Sequence, residues 1–131
     1  MYTFPMDFPI DLLVVNNENI FQANGGGYRL VVHTPLNEHD FLSTRLANPK
    51  RKYSNQNDEF KSYGISFWRK VERVKQVKEN YPSDSQLGSS KIVFVNFNES
   101  LGVIQEERNS HVTLWKQQDK YVSQCSYTEV K

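Results

Sequence analysis

One cysteine, Cys125, stands in a chain of 131 residues. A lone thiol excludes an internal disulfide and any multi-cysteine metal centre. Alanine is almost missing too: two residues, Ala23 and Ala47, against thirteen valines and twelve asparagines. That balance favours strands and turns over long helices. Apolar runs are short, none longer than the four residues of Leu12 to Val15, and a membrane-spanning helix needs about twenty. The first ten residues hold two prolines and an aspartate with no basic start, which is not the pattern of a secretory signal. The expectation is therefore a cytoplasmic protein without a membrane partner. Net charge is only +1, so the whole molecule has no electrostatic pull toward nucleic acid or lipid. With 37% apolar residues, the core must draw on the aromatic side chains.

What is present reads as a single α+β domain built on a mostly antiparallel sheet. Residues 1–27 read as an N-terminal strand or hairpin (Ile10 to Val15, returning through Ile20 to Gln22) and a glycine-rich joint, Gly25-Gly26-Gly27. The joint lacks the following Lys-Ser/Thr of a phosphate loop. Tyr28 to Thr34 alternates as a strand, and Thr34-Pro35 reads as a cap opening a helix over about 35–46. Residues 48–59 read as a solvated loop. Ile65 to Trp68 reads as a strand or a strand-to-helix junction, and a second main helix is expected over about 67–81, stopped by Pro82. Lys91 to Phe97 is apolar on both faces, the mark of a covered interior strand. Gly102 to Glu107, His111 to Lys116 and Tyr121 to Tyr127 read as a C-terminal β-meander.

Three constellations carry chemistry. Arg29 and His33 share a strand face, about 13 Å apart, and His33 precedes a helix start that would attract an anion. The same histidine could instead simply satisfy that helix start. His111, Thr113 and Trp115 share another strand face, as a pocket wall with a stacking indole or as the outer face of an edge strand. Charge is also segregated. Ten of the sixteen Lys and Arg, but three of the fifteen Asp and Glu, fall between Arg45 and Lys78, and Lys50-Arg51-Lys52 is the densest run. Such a basic sector recruits a phosphate, a nucleic acid or an acidic protein, or is merely a solvated face. Cys125 sits in a strand-like segment, where a small buried role fits better than a nucleophile.

The succession Tyr28-Arg-Leu-Val-Val-His33, Asp40-Phe-Leu-Ser43, Gly64-Ile-Ser66 and His111-Val-Thr-Leu-Trp115 resembles a group of small uncharacterised bacterial proteins with an Asp-Phe-Leu-Ser, Gly-Ile-Ser and His-x-Thr-Leu-Trp pattern. That likeness covers about residues 28–125 and implies no activity. More distantly, the chain resembles ADP-ribosyltransferase-like domains. His33 matches their first-strand position, Tyr63-Gly-Ile-Ser-Phe67 their glycine-led strand, Tyr81 an aromatic after the helix, and Gln105, Glu106 or Glu107 their late acidic position. Thr34-Pro35 replaces the glycine that often follows the first-strand histidine. The His111 strand is also similar to that of papain-like peptidoglycan amidases, but no cysteine occurs in Ser62-Tyr-Gly-Ile-Ser66, which argues against that hydrolysis.

Two functions are expected from these readings. The first is a non-enzymatic module that binds a protein or nucleic acid through the basic sector, residues 45–78, with Lys50, Arg51 and Lys52 in contact. The other, implied by the ADP-ribosyltransferase likeness, is an NAD-binding or transferase domain. In it His33 and Glu106 would be catalytic, and Arg29, Tyr63, Ser66, His111, Thr113 and Trp115 would hold the nucleotide. No metal ligands are assigned. Both uses of the histidines require His33 and His111 to border one hollow.

Overall fold

Among the described residues, alternating apolar positions pair the chain into seven antiparallel strands: β1 (Ile20–Gln22), β2 (Gly26–Val31), β3 (Ile65–Trp68), β4 (Lys91–Asn96), β5 (Gly102–Glu106), β6 (His111–Lys116) and β7 (Tyr127–Val130). The computed structural model describes residues 3–11, 20–33 and 35–130. The strands lie in the order β1-β5-β6-β3-β2-β4-β7, with every pairing antiparallel. Helices α1 (Thr44–Ala47), α2 (Gln56–Ser62) and α3 (Val71–Glu79) complete the α+β architecture expected from sequence. No helix among the described residues is long and apolar enough to cross a membrane.

Strand alternation sorts the core onto two faces. On the first face, Val31, Ile65, Phe67, Val93, Val95, Ile104, Val112 and Leu114 are buried beneath Phe41, Phe97, Leu101 and Val122. Phe67 is fully buried, a contribution of about 2–3 kcal/mol. On the second face, Val103 and Trp115 pack against Phe8 and Phe60, and the Trp115 indole stacks on Phe60 at 4.5 Å. As expected, β4 is an interior strand, flanked by β2 and β7.

Several elements differ from the sequence expectation, each for a local reason. The helix expected over 35–46 is two short pieces, a 3-10 turn at Glu38–Phe41 and α1. Arg29 takes the Asp40 and Leu42 carbonyls at 2.8 and 3.4 Å, which a continuous helix would have used internally. Leu42 is extended and Ser43 restarts the helix as a cap, its Oγ accepting from the Leu46 N–H. Thr34 lies outside the described residues, and Asn37 is the observed cap of the turn. The helix expected over 67–81 begins at Val71, because the alternation of Ile65 to Trp68 belongs to β3. Within the loop expected over 48–59, Asn55 caps α2 by accepting from the Asp58 N–H at 2.8 Å, and buried Phe60 anchors it.

The glycine joint is not a joint: Gly26 and Gly27 open β2. A Cβ on Gly27 would press into Phe67 and one on Gly26 into the Phe94 ring, so the strands close only over bare backbone. The meander stops at two strands. β6 has β5 and β3 on its two sides, so the chain leaves the sheet. It turns through a 3-10 segment at Val122–Gln124, where the expected strand Tyr121 to Tyr127 should begin, and β7 pairs with the open side of β4 instead. Of the first expected strand, residues 12–15 lie outside the described residues and Ile10 and Asp11 are helical. Ile20–Gln22 pairs with β5.

Candidate functional site

On the second face, Phe60 and Phe8 cover one end of the sheet, and α3 packs against β2 and β3. Bordered by α1, α2, β3 and β6 is a polar cleft of about 220 Å³. Its floor is Ser66 of β3 and His111 and Thr113 of β6, brought level by the pairing of Ser66 with Thr113 and Trp68 with His111. Lys61 and Ser62 come from the last turn of α2, Asp58 from its first turn, Thr44 from α1, and Arg51 and Tyr53 from the segment between the two helices. Gly64 permits the approach, since a Cβ there would collide with the Thr113 methyl.

Glu107 ties the floor together. Its carboxylate accepts from the Thr113 hydroxyl at 2.9 Å, lies 3.4 Å from His111 Nδ1 and 3.3 Å from Lys61 Nζ. The His111 hydrogen bond outweighs burial, and with help from Thr113 and Lys61 it holds the carboxyl down at about 2. Glu107 is therefore ionised at neutral pH and orients the histidine with Nε2 uncommitted. The tight turn from β5 to β6 supports this geometry with two left-handed residues, Asn109 and Ser110, at φ 61° and 62°. His111 also meets the edge of Trp68 at 5.3 Å. Above the floor, Arg51 lies over the Tyr53 ring at 5.4 Å and Arg45 at 5.6 Å. The Tyr53 hydroxyl is buried without a hydrogen-bond partner.

Four expected site residues thus converge: Ser66, His111, Thr113 and Arg51. The others do not join them. Arg29 faces away from its neighbour Tyr28, which is in register with Trp68 and hence with His111. Its guanidinium donates to the carbonyls of Asp40, Ser66 and Leu42 and packs by Phe41 and Phe67. Burial pulls its pKa down to about 10, against the opposing pull of Asp40. It clamps the fold rather than offering a phosphate contact.

His33 stands at the same end of β2, with Nδ1 3.0 Å from Asp40 Oδ1. Asp40 has no exposed side-chain surface and also accepts from the N–H groups of Val32, His33 and Asn37. These bonds overcome burial, which alone would raise its pKa, and lower it. The two histidines consequently lie on opposite faces of the sheet, and the shared hollow expected of them does not form. Glu106, taken as the late acid, pairs with Arg69 at 2.7 Å, on the face opposite the cleft. Its neighbour Glu107 is the carboxylate at the site, because alternation turns adjacent residues to opposite sides.

Trp115 is core rather than cleft wall: 1% exposed, with Nε1 donating to the Phe60 carbonyl at 3.1 Å. Tyr63 lies under Arg45 at 4.4 Å and meets Phe8 edge-on. Cys125 ends the 3-10 segment rather than sitting in a strand, and burial raises its thiol pKa. Sequence reasoning passed over Tyr53, Lys61 and Asp40. An Asn-x-x-Asp spacing before Phe60 was the available signal for the helix that carries Lys61.

The basic sector divides in two. Arg45, Lys61, Arg69 and Lys78 are engaged within the fold: Arg45 with Ser62 and Glu59, Lys61 with Glu107, Arg69 with Glu106 and the Asn24 and Gly26 carbonyls, and Lys78 with the Ser90 carbonyl. Lys50, Arg51, Lys52, Lys70, Arg73 and Lys75 are exposed, with no ion pair among the described residues. No group of three or more His, Cys, Asp or Glu able to hold a metal ion occurs among the described residues. No family model, curated protein or solved structure matches the chain.

Proposed function

We propose that this chain is a binding module for an anionic macromolecule, recognised through the exposed cations of residues 45–78. The observation that carries the reading is the run Lys50, Arg51 and Lys52: three consecutive exposed cations without ion-pair partners among the described residues, of which Arg51 lines the His111 cleft. A surface charge already neutralised inside a fold contributes little to association, whereas unpaired cations release counterions from a polyanion. Aromatic groups lie among the cations, Tyr53 beneath Arg51 and Trp68 two residues before Lys70. This interleaving favours a nucleic-acid strand over an acidic protein.

The transferase reading would place Arg29, His33, Glu106 and His111 around one nucleotide. Their distribution over two faces gives it less support, and an NAD-dependent rise in melting temperature abolished by His33→Ala is the measurement that would restore it.

The test is fluorescence anisotropy of a labelled single-stranded RNA, with an acidic peptide of equal charge as comparator. The reading predicts binding that weakens steeply with added salt and falls by about tenfold or more when Lys50, Arg51 and Lys52 are replaced by glutamate. Affinity unchanged by that reversal overturns it.

A further inference from the structure

The cleft that Arg51 lines is chemically one-sided. The Arg51 guanidinium makes no hydrogen bond to the protein among the described residues, and neither do the hydroxyls of Thr44 and Ser66. The Tyr53 hydroxyl is buried with no partner. Acceptors are already engaged: Glu107 by Thr113, His111 and Lys61, and Asp58 at the rim by the Asn55 amide at 3.1 Å. A hollow offering several unused donors around one free guanidinium suits a group with many acceptor oxygens and negative charge. A carboxylate brings two oxygens. A phosphate brings more, arranged tetrahedrally so that donors from α1, β3 and the Arg51 segment can each reach one.

We propose that this cleft is a phosphate-recognition site, in which Arg51 and the hydroxyls of Tyr53, Ser66 and Thr44 seat the oxygens of one phosphate group above the His111 ring of the floor. The buried Tyr53 hydroxyl, which has no partner within the protein, thereby gains an acceptor. Lys61 is held against Glu107, so that pair adds no net charge, and Arg51 is, among the described residues, the free cation of the lining opposite Asp58 at the rim. The cleft volume, about 220 Å³, admits a phosphate with its attached sugar. The site does not depend on the macromolecular reading, because the same group arrives on a free phosphomonoester or on a strand.

The experiment follows backbone amide and histidine signals of the isotope-labelled chain by NMR during titration with inorganic phosphate and with ribose 5-phosphate, using chloride at matched ionic strength as the baseline. Saturable shifts are expected at Tyr53, Ser66 and His111. Arg51→Ala should weaken binding by about tenfold or more, and Tyr53→Phe, which keeps the ring beneath both arginines, by roughly three- to tenfold. Lys120→Ala, outside both the cleft and residues 45–78, should leave it unchanged. Shifts spread over the whole basic sector and reproduced by chloride would overturn the proposal, as would a Tyr53→Phe chain that binds as tightly as the parent.

A short oligouridylate tests the two ideas apart. If the strand binds and phosphate leaves the cleft unperturbed, the phosphate site is wrong while the macromolecular reading stands. If phosphate saturates the cleft and no strand binds, the reverse holds.

Discussion

The Arg29 guanidinium and the Asp40 carboxylate lie on opposite sides of the same short turn and hold it by different means. Arg29 reaches in from β2 to take the Asp40 carbonyl at 2.8 Å. The Asp40 side chain reaches back to the Val32 N–H at 2.8 Å and the His33 ring at 3.0 Å. Each residue therefore satisfies backbone groups belonging to the other's segment, and strand end and turn become one unit. Buried backbone groups must find partners, so both side chains are fixed by the fold.

Removing the guanidinium should accordingly act on stability. Arg29→Met keeps the apolar contact with Phe41 and Phe67 but leaves the carbonyls of Asp40, Ser66 and Leu42 without their donor. A loss of about 2–4 kcal/mol is expected in urea unfolding. Arg29→Lys should recover less than half of it, because an ammonium cannot reproduce the planar fork. Binding to single-stranded RNA should be unaffected in the fraction that remains folded. Stability equal to the parent would show that solvent satisfies those carbonyls.

The same residues show how far the sequence could be read. Alternation along β2 puts Arg29 and Val31 on the face away from Tyr28, with His33 just past the strand end at Val31 rather than in the strand expected to run to Thr34, and alternation along His111 to Trp115 groups His111 with Thr113. Which face of the common sheet each group occupies depends on β3, whose single register position with β2, Tyr28 against Trp68, links the two. Nothing local to either strand encodes that. The loop before Phe60 was misread for a related reason: α2 is polar on most of its surface and is held by one buried ring and one cap, too little periodicity to register as a helix. Glu106 and Glu107 differ only in parity, and parity depends on where β5 ends.

Glu107 gives the clearest pH signature. Its folded pKa of about 2 lies below the ordinary 4.5. The stability it contributes is thus fully present above that ordinary value and is lost as pH falls through the folded one. Melting temperature measured between pH 7 and pH 2 should drop for the parent more steeply than for Glu107→Gln. The variant itself should be less stable at pH 7 by about 1–3 kcal/mol, having lost charge-assisted bonds to Thr113 and His111. Asp40, whose pKa is also lowered, contributes with the same sign in both proteins and cancels in the difference. Parallel curves would refute the assignment of Glu107 as the charge that holds the cleft floor.

The turn that presents Glu107 and His111 carries removable strain. Ser110 has a left-handed φ of 62°, and its Oγ is buried without a partner. A serine in that conformation costs roughly 1–2 kcal/mol that glycine does not incur. Deleting the hydroxyl also removes an unsatisfied polar atom. Against this, glycine enlarges the unfolded ensemble by about 0.5–1 kcal/mol. The balance predicts that Ser110→Gly stabilises the fold by about 0.5–1 kcal/mol, seen as a melting temperature higher by roughly 2–5 °C. Asn109→Gly should be nearly neutral, because asparagine tolerates the left-handed region. Ser110→Val, branched at Cβ where φ is positive, should lower stability by more than glycine raises it. The Ser110 carbonyl accepts from the Arg69 N–H at 2.7 Å, and glycine retains that bond, so β3 and β6 stay in register. Phosphate affinity in the cleft should therefore survive the stabilising change, and an affinity that falls as stability rises would mean that strain in the turn helps to position His111.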